Sequence, residues 1–145
     1  MAKVLYTAEA TVTGGRAEGH GRTSDGVLEV ELRTPSELGG AGDGTNPEQL
    51  FAIGYAACFE GALGVVARRE RAEVGDVSID SRVSLLPTEG GGFKLAVALD
   101  VSLPQVEDPE QAARIVAAAH KVCPYSNATR GNIEVELTAN GQAVE

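Results

Sequence analysis

The sequence predicts an α+β fold in which antiparallel strands are interrupted by two helices. Three observations carry that prediction. Apolar residues alternate with polar ones in several separate short runs, the period of a strand with one buried face. Two longer segments open with the same helix-start grammar, an Asn or Asp followed by Pro-Glu-Gln. The helices do not alternate one-for-one with the strands, as a parallel βαβ chain would require.

The N-terminal stretch, about 3–13, reads as a strand, and residues 27–33 as another, with Leu28, Val30 and Leu32 on one face and Glu29 and Glu31 on the other. Asn46-Pro47-Glu48-Gln49 supplies an N-cap, a proline at the first helical position and a Gln at the capping-box position, so the first helix should run to about Arg71. Its middle carries Gly54, Ala57, Cys58, Gly61 and Ala62 at helical spacing. Glycine inside a helix costs roughly 1 kcal/mol relative to Ala, so this bare stripe predicts a close approach, with the second helix as partner. Val77, Ile79, Val83 and Leu85, with Ser81 in register, form one alternating run. Phe93, Leu95, Val97, Leu99, Val101 and Leu103 form the next, and Thr88 to Gly92 is the hairpin loop between them. Asp108-Pro109-Glu110-Gln111 opens the second helix, expected to end near Val122, and Ile133, Val135 and Leu137 make a last short strand.

At 145 residues, with neither an internal repeat nor a linker-like stretch, the chain reads as a single domain spanning 1–145. Twelve Lys and Arg against 21 Asp and Glu give a net charge of −9. That balance argues against nucleic acid, whose phosphates need clustered cations, and against anionic membrane surfaces. The longest uninterrupted apolar stretch, about Ala52 to Phe59, falls short of the roughly 18 residues of a bilayer span. The N-terminus lacks the apolar core of a signal peptide, so a cytoplasmic protein is expected.

Two cysteines then need a reason. A purely structural disulfide is disfavoured in a reducing compartment, and Cys58 and Cys123 are too far apart in sequence for a CxxC motif. Spacing alone leaves open whether they are small buried hydrophobes or a reactive pair.

Asn46 to Phe59 (NPEQLFAIGYAACF) and Val122 to Asn132 (VCPYSNATRGN) closely resemble the two cysteine motifs of the organic hydroperoxide resistance proteins, a branch of the OsmC superfamily. Gly14-Gly15-Arg16, followed by Gly21 to Gly26, is similar to that family's N-terminal signature. The resemblance runs over essentially the whole chain, in the family's order. It implies antiparallel sheets wrapped around two central helices in an intertwined homodimer, and a thiol peroxidase acting on organic, including bulky or fatty-acyl, hydroperoxides in preference to hydrogen peroxide. By the same resemblance Cys58 is the peroxidatic residue, Cys123 resolves it as a disulfide, Arg16 is the activating cation and Glu48 orients Arg16. No bound cofactor or metal is implied. The reductant is a dithiol of the dihydrolipoyl type, delivered by a lipoylated protein partner. The residue types suit the chemistry independently: attack on an O–O bond needs a thiolate, a free Cys is mostly neutral near pH 7, and Arg keeps its charge while its planar fork holds a carboxylate.

Each of these residues also has a plainer reading. Glu48 in a first helical turn complements the helix dipole, Arg16 after two glycines suits a solvated turn, and Cys123 before Pro124 suits a buried helix end. Gly39 to Thr45 imitates a phosphate loop but lacks the Lys before the Thr, and reads as a flexible loop. Cys58, Cys123, His20 and His120 do not have zinc-finger spacing. His20 should be exposed; His120, three residues before Cys123, either lines the site or has a surface or capping role. Asn127-Ala128-Thr129 matches a glycosylation sequon without consequence in the cytoplasm. Leu50, Phe51, Tyr55 and Phe59 read as core or subunit contacts first and substrate wall second.

Glu48 and Cys58 are ten residues apart, about 15 Å along a continuous helix. If both serve one site, Arg16 and Glu48 of one chain should approach Cys58 and Cys123 of another, unless the helix kinks near Gly54. Two rival functions stay open beside the peroxidase: an OsmC-subgroup peroxidase of broader specificity, and a non-catalytic redox sensor or apolar-ligand binding domain using the same cysteines.

Overall fold

A computed structural model describes residues 2–145, which fold as two compact units, one up to Leu50 and one from Phe51 to Glu145. The first unit is a three-stranded antiparallel sheet of β1 (Ala10–Thr13), β2 (Glu18–Thr23) and β3 (Glu29–Arg33), in that order. Strand β2 is the central one: Gly21 faces Val12 on one side and Val30 on the other. Only Ala10–Thr13 of the expected 3–13 strand pairs within the chain. Val4, Leu5 and Tyr6 are 72%, 96% and 81% exposed and lie beyond the last bond of this edge, from the Ser24 N–H to the Glu9 carbonyl.

The Gly-rich segment before the first helix is a loop, as expected, and it is tied to β3. It folds back along β3 through Gly42 N–H to the Thr34 carbonyl, Thr45 N–H to the Glu31 carbonyl, and Arg33 N–H to the Thr45 carbonyl. A Cβ on Gly44 would stand 2.6 Å from the Glu31 carbonyl oxygen, so backbone proximity dictates that glycine.

Helix α1 (Pro47–Glu70) starts as the sequence indicates: the Asn46 side chain accepts from the Gln49 N–H at 2.9 Å. The capping box itself is altered, since the Gln49 side chain accepts from the Thr45 hydroxyl at 2.8 Å. The helix is uninterrupted across Gly54.

The second unit holds a four-stranded sheet, β4 (Ser78–Pro87), β5 (Phe93–Ser102), β6 (Val135–Ala139) and β7 (Gln142–Val144), together with α2 (Pro109–Val122) and α3 (Pro124–Thr129). The β4–β5 hairpin is antiparallel in the register the alternation predicts, Val83 opposite Val97 and Leu85 opposite Leu95. One pairing differs from the all-antiparallel expectation: β5 and β6 are parallel. The connection between them carries α2 and α3, long enough for a parallel crossover. The α+β class is unchanged.

The core of this unit joins Tyr55, Phe59, Leu63 and Val66 of α1 to Leu99, Val101 and Leu103 of β5, to Ile115 and Val116 of α2, and to Leu137 of β6. Each such fully buried side chain contributes roughly 1.5–3 kcal/mol. Helix α1 is long and apolar enough by composition to cross a membrane, but these wholly buried residues make it a core helix. Its stripe of small residues is only partly covered. Ala62 is 4% exposed in the core, whereas Ile53 is 70% exposed and Ala57 and Gly61 are open on the same face.

Candidate functional site

The α2–α3 joint is set by one residue type. Proline disfavours the helical conformation in the residue before it, and Cys123 precedes Pro124 with φ −64° and ψ 122°, leaving the helical region between the two helices. Its N–H still bonds the Ala119 carbonyl and its carbonyl receives the Asn127 N–H, each at 2.9 Å. Cys123 is wholly buried, and its thiol donates to the sulfur of half-buried Cys58 at 3.6 Å. Both are free thiols.

Burial pushes the Cys58 thiol above its ordinary pKa, and the neighbouring Cys123 thiol pushes the same way. The backbone N–H of Tyr125 acts against them by bonding the sulfur. Those causes include no cation, so within one chain the neutral thiol is favoured.

A buried hydroxyl cluster holds this arrangement. The Tyr55 hydroxyl, one turn before Cys58, meets Ser126 Oγ at 2.7 Å and Thr129 Oγ1 at 3.1 Å. Thr129 also donates to the Ser126 carbonyl. All three residues are at most 6% exposed. The cluster ties α3, and with it Cys123 and the Tyr125 amide, to the part of α1 that carries Cys58.

The close approach expected at the small-residue stripe is made at Gly54, and by α3 rather than α2. A Cβ there would lie 2.8 Å from the Tyr125 hydroxyl, so the glycine admits that ring against the helix. Tyr125 packs edge-on against Phe51 and tilted against Tyr55, with ring centroids 5.7 and 5.6 Å away. Beside it opens a cavity of about 940 Å³ lined by Phe51, Phe93, Leu95, Tyr125 and Ile133 among others.

In the first unit, Arg16 sits in the tight turn after β1, where Gly14 and Gly15 take φ of 79° and 68°. Its guanidinium donates two parallel bonds to the Glu48 carboxylate, both 2.9 Å, with the side chains 42% and 15% exposed. Such a bidentate pair fixes the plane of the guanidinium and leaves donors facing outward. Of the four residues singled out in the sequence, the structure thus places Arg16 with Glu48 and Cys58 with Cys123, on different units.

His20 is half-exposed and gripped between Glu31 at 2.8 Å and Glu29 at 2.7 Å, which raises its pKa. His120 is half-buried in the last turn of α2, with Nδ1 buried and unpaired in the described residues; burial lowers its pKa, and Arg130 caps its carbonyl. Among the described residues no group of three His, Cys, Asp or Glu side chains could hold a metal ion. Sequence reasoning gave no role to Ser126, Thr129 or the Tyr55 hydroxyl. The available signal was a pair of hydroxyls at i and i+3 just after Cys123, on one face of a short helix.

Residues 40–138 match the model of the OsmC family, described as OsmC-like protein. The chain is 56% identical over 140 residues to an organic hydroperoxide resistance protein of Xanthomonas axonopodis pv. citri, covering 94% of this chain and 95% of that one. It is 50% identical over 134 residues to the organic hydroperoxide resistance protein OhrB of Bacillus subtilis, covering 92% and 96%. Among solved structures, an organic hydroperoxide resistance protein OsmC of Legionella pneumophila superposes with a TM-score of 0.89 at 52% identity, covering 94% and 98%. On this likeness over nearly its full length, the chain belongs to the organic hydroperoxide resistance branch of the OsmC family.

Proposed function

We propose that the chain is a dithiol-dependent peroxidase that reduces organic hydroperoxides to alcohols. The observation that carries this reading is the pair of free thiols 3.6 Å apart, one half-open and one wholly buried. The accessible Cys58 is the nucleophile: its thiolate attacks the terminal peroxide oxygen, an S–O bond forms as O–O breaks, and the departing alkoxide takes a proton to become the alcohol. Cys58 is left as a sulfenic acid. The Cys123 sulfur then attacks Cys58, the hydroxyl leaves as water, and an intramolecular disulfide remains. An external dithiol reopens it by two exchange steps and is itself oxidised to a disulfide. Dihydrolipoyl groups, carried by a lipoylated protein in the cytoplasm, have the required chemistry.

Burial opposes the Cys58 thiolate, so a cation has to reach it. The Arg16–Glu48 pair is a pre-aimed one. Ten residues of uninterrupted α1 separate Glu48 from Cys58, about 15 Å of rise, which supports Arg16 and Glu48 acting on the cysteines of a second copy in a homodimer. The exposed Ile53–Ala57–Gly61 face and the unpaired strand-forming segment around Val4–Tyr6 are surfaces such a dimer would cover.

The test is turnover of cumene hydroperoxide with dihydrolipoamide. Many equivalents consumed per chain support the peroxidase. Consumption that stops after one equivalent with reductant still present overturns it in favour of a redox sensor, and equal use of hydrogen peroxide favours the broader OsmC-type activity.

A further inference from the structure

The last turn of α2 cannot satisfy its own carbonyls. In a regular helix the His120 carbonyl would accept from the N–H of residue 124, but that residue is Pro124, which has none. The donor comes instead from the far end of α3. Arg130 Nη1 bonds the His120 carbonyl at 2.8 Å, and its Nη2 bonds the Asn127 side-chain oxygen at 2.6 Å. The backbone N–H of Arg130 also closes α3 on the Ser126 carbonyl at 2.8 Å. One planar guanidinium therefore straps the end of α2 to α3, and its two anchors, His120 and Asn127, bracket Cys123 at the joint between the helices. Pro124 opens that joint, and Arg130 holds its angle. The strap is separate from the other fastening of α3: the Tyr55, Ser126 and Thr129 hydroxyls join α3 to α1, and the Tyr125 N–H reaches the Cys58 sulfur from α3. Neither of those involves α2.

We propose that Arg130 is a positioning residue for the Cys123 sulfur: by locking α2 to α3 across the joint it keeps that sulfur within reach of Cys58 for closure of the disulfide. The thiols stand 3.6 Å apart, close to the roughly 3–3.5 Å of a near-attack arrangement, and Cys123 sits where the two helices meet, so the direction of its sulfur follows the angle between them. The charge of Arg130 is not among the causes that shift the Cys58 thiol; what Arg130 supplies is geometry. The catalytic meaning of the strap rests on the peroxidase reading, whereas its effect on the pairing of the two thiols does not depend on turnover.

The experiment compares the parent with Arg130→Met, which keeps the length of the side chain and removes its donors, with Asn127→Ala, which removes only the exposed anchor on α3, and with the double variant. Each is equilibrated with reduced and oxidised dithiothreitol, and the Cys58–Cys123 disulfide is read by alkylation and mass. A misplacement of about 1 Å costs up to ~10²-fold in reaction geometry, and α2 stays seated through Ile115 and Val116. The effective concentration of one thiol at the other should therefore fall about 10-fold in Arg130→Met, a potential about 30 mV less negative. Asn127→Ala should shift it less in the same direction and add nothing to Arg130→Met, while the Cys58 pKa read by thiolate absorbance stays at the parent value in all of them. An unchanged potential in Arg130→Met, or strictly additive shifts in the double variant, overturns the proposal. A raised Cys58 pKa in Arg130→Met overturns it too, by making Arg130 an electrostatic group. A second arm supplies cumene hydroperoxide with dihydrolipoamide. Slower closure leaves the Cys58 sulfenic acid open to a second equivalent, so Arg130→Met should over-oxidise at about 10-fold lower hydroperoxide than the parent, and equal thresholds count against the strap. If no chain consumes hydroperoxide, the peroxidase reading fails, and the dithiothreitol arm still decides whether Arg130 positions Cys123.

Discussion

Replacing Tyr55 by Phe removes one oxygen and leaves the ring, so the aromatic contacts with Phe51 and Tyr125 persist. What is lost is the hydroxyl that meets Ser126 at 2.7 Å and Thr129 at 3.1 Å. Thr129 keeps its bond to the Ser126 carbonyl, but the wholly buried Ser126 hydroxyl loses the partner it has in the structure. A buried polar group left unsatisfied costs about 1–3 kcal/mol. For a chain of this length each kcal/mol lowers Tm by roughly 3 °C, so thermal unfolding of Tyr55→Phe should move down by roughly 3–9 °C. Adding Ser126→Ala to Tyr55→Phe should then cost little more, because the orphaned hydroxyl is removed with it, giving a coupling of about 1 kcal/mol in the double-mutant cycle. Because Cys123 immediately precedes α3, closure of the Cys58–Cys123 disulfide by diamide should also slow. A Tm loss below about 1 °C, or strictly additive single and double variants, would refute the argument that this cluster fastens α3 to α1.

Cys58→Ser should abolish hydroperoxide consumption, whereas Cys123→Ser should react once and then stall or over-oxidise, as mass spectrometry of the Cys58 sulfur would reveal; equal single-turnover rates for Cys58→Ser and the parent would reject the assignment. Arg16→Ala breaks a partly exposed ion pair, so it should cost no more than about 1 kcal/mol of stability while raising the Cys58 pKa read by thiolate absorbance. Mixed under subunit exchange with Cys58→Ser, it should regenerate some activity if sites are shared between chains, and confirmed heterodimers without recovery would place all four residues in one chain. Glu31 and Glu29 raise the His20 pKa, so its folded pKa lies above its unfolded one. Its contribution is therefore fully present below the unfolded value and is lost as pH rises through the folded one: the stability gap between parent and His20→Gln should be larger at pH 5.5 than at pH 9, and a gap independent of pH would contradict the clamp.

The parts of the fold legible in the sequence are those where local chemistry and tertiary packing agree. Asn46-Pro47 and Asp108-Pro109 open their helices as read, with Asn46 and Asp108 accepting backbone N–H groups at their own N-termini. The β4–β5 alternation fixes both its register and its buried face. Strand β2, Glu18–Thr23, was invisible because its sequence EGHGRT has no apolar alternation; it is a strand because β1 and β3 flank it. The parallel β5–β6 pairing could not be read locally, since it depends on where the α2–α3 crossover returns the chain. Helix α3 is six residues long, too short to show a period. The four residues named for the site were legible through a motif resemblance, and the hydroxyl cluster behind them was not, because Tyr55 and Ser126 are brought together only by the packing of α1 on α3.

The proline after Cys123 has a consequence for any chemistry in which the two sulfurs join. They stand 3.6 Å apart as thiols, and a disulfide requires about 2.05 Å, so something must travel about 1.5 Å and back in every cycle. A cysteine within a regular helix would have to drag its turn along and stretch the hydrogen bonds of the ladder. Cys123 occupies instead the one extended residue between the two helices, although its N–H and carbonyl each still hold one bond to them, so rotation about its side chain costs less than movement of its backbone. Helix α2 can stay seated in the core through Ile115 and Val116 while the sulfur moves. If the two sulfurs join, the shortfall of about 1.5 Å is small enough for side-chain rotation to supply much of it, leaving the scaffold on either side in place through repeated oxidation and reduction.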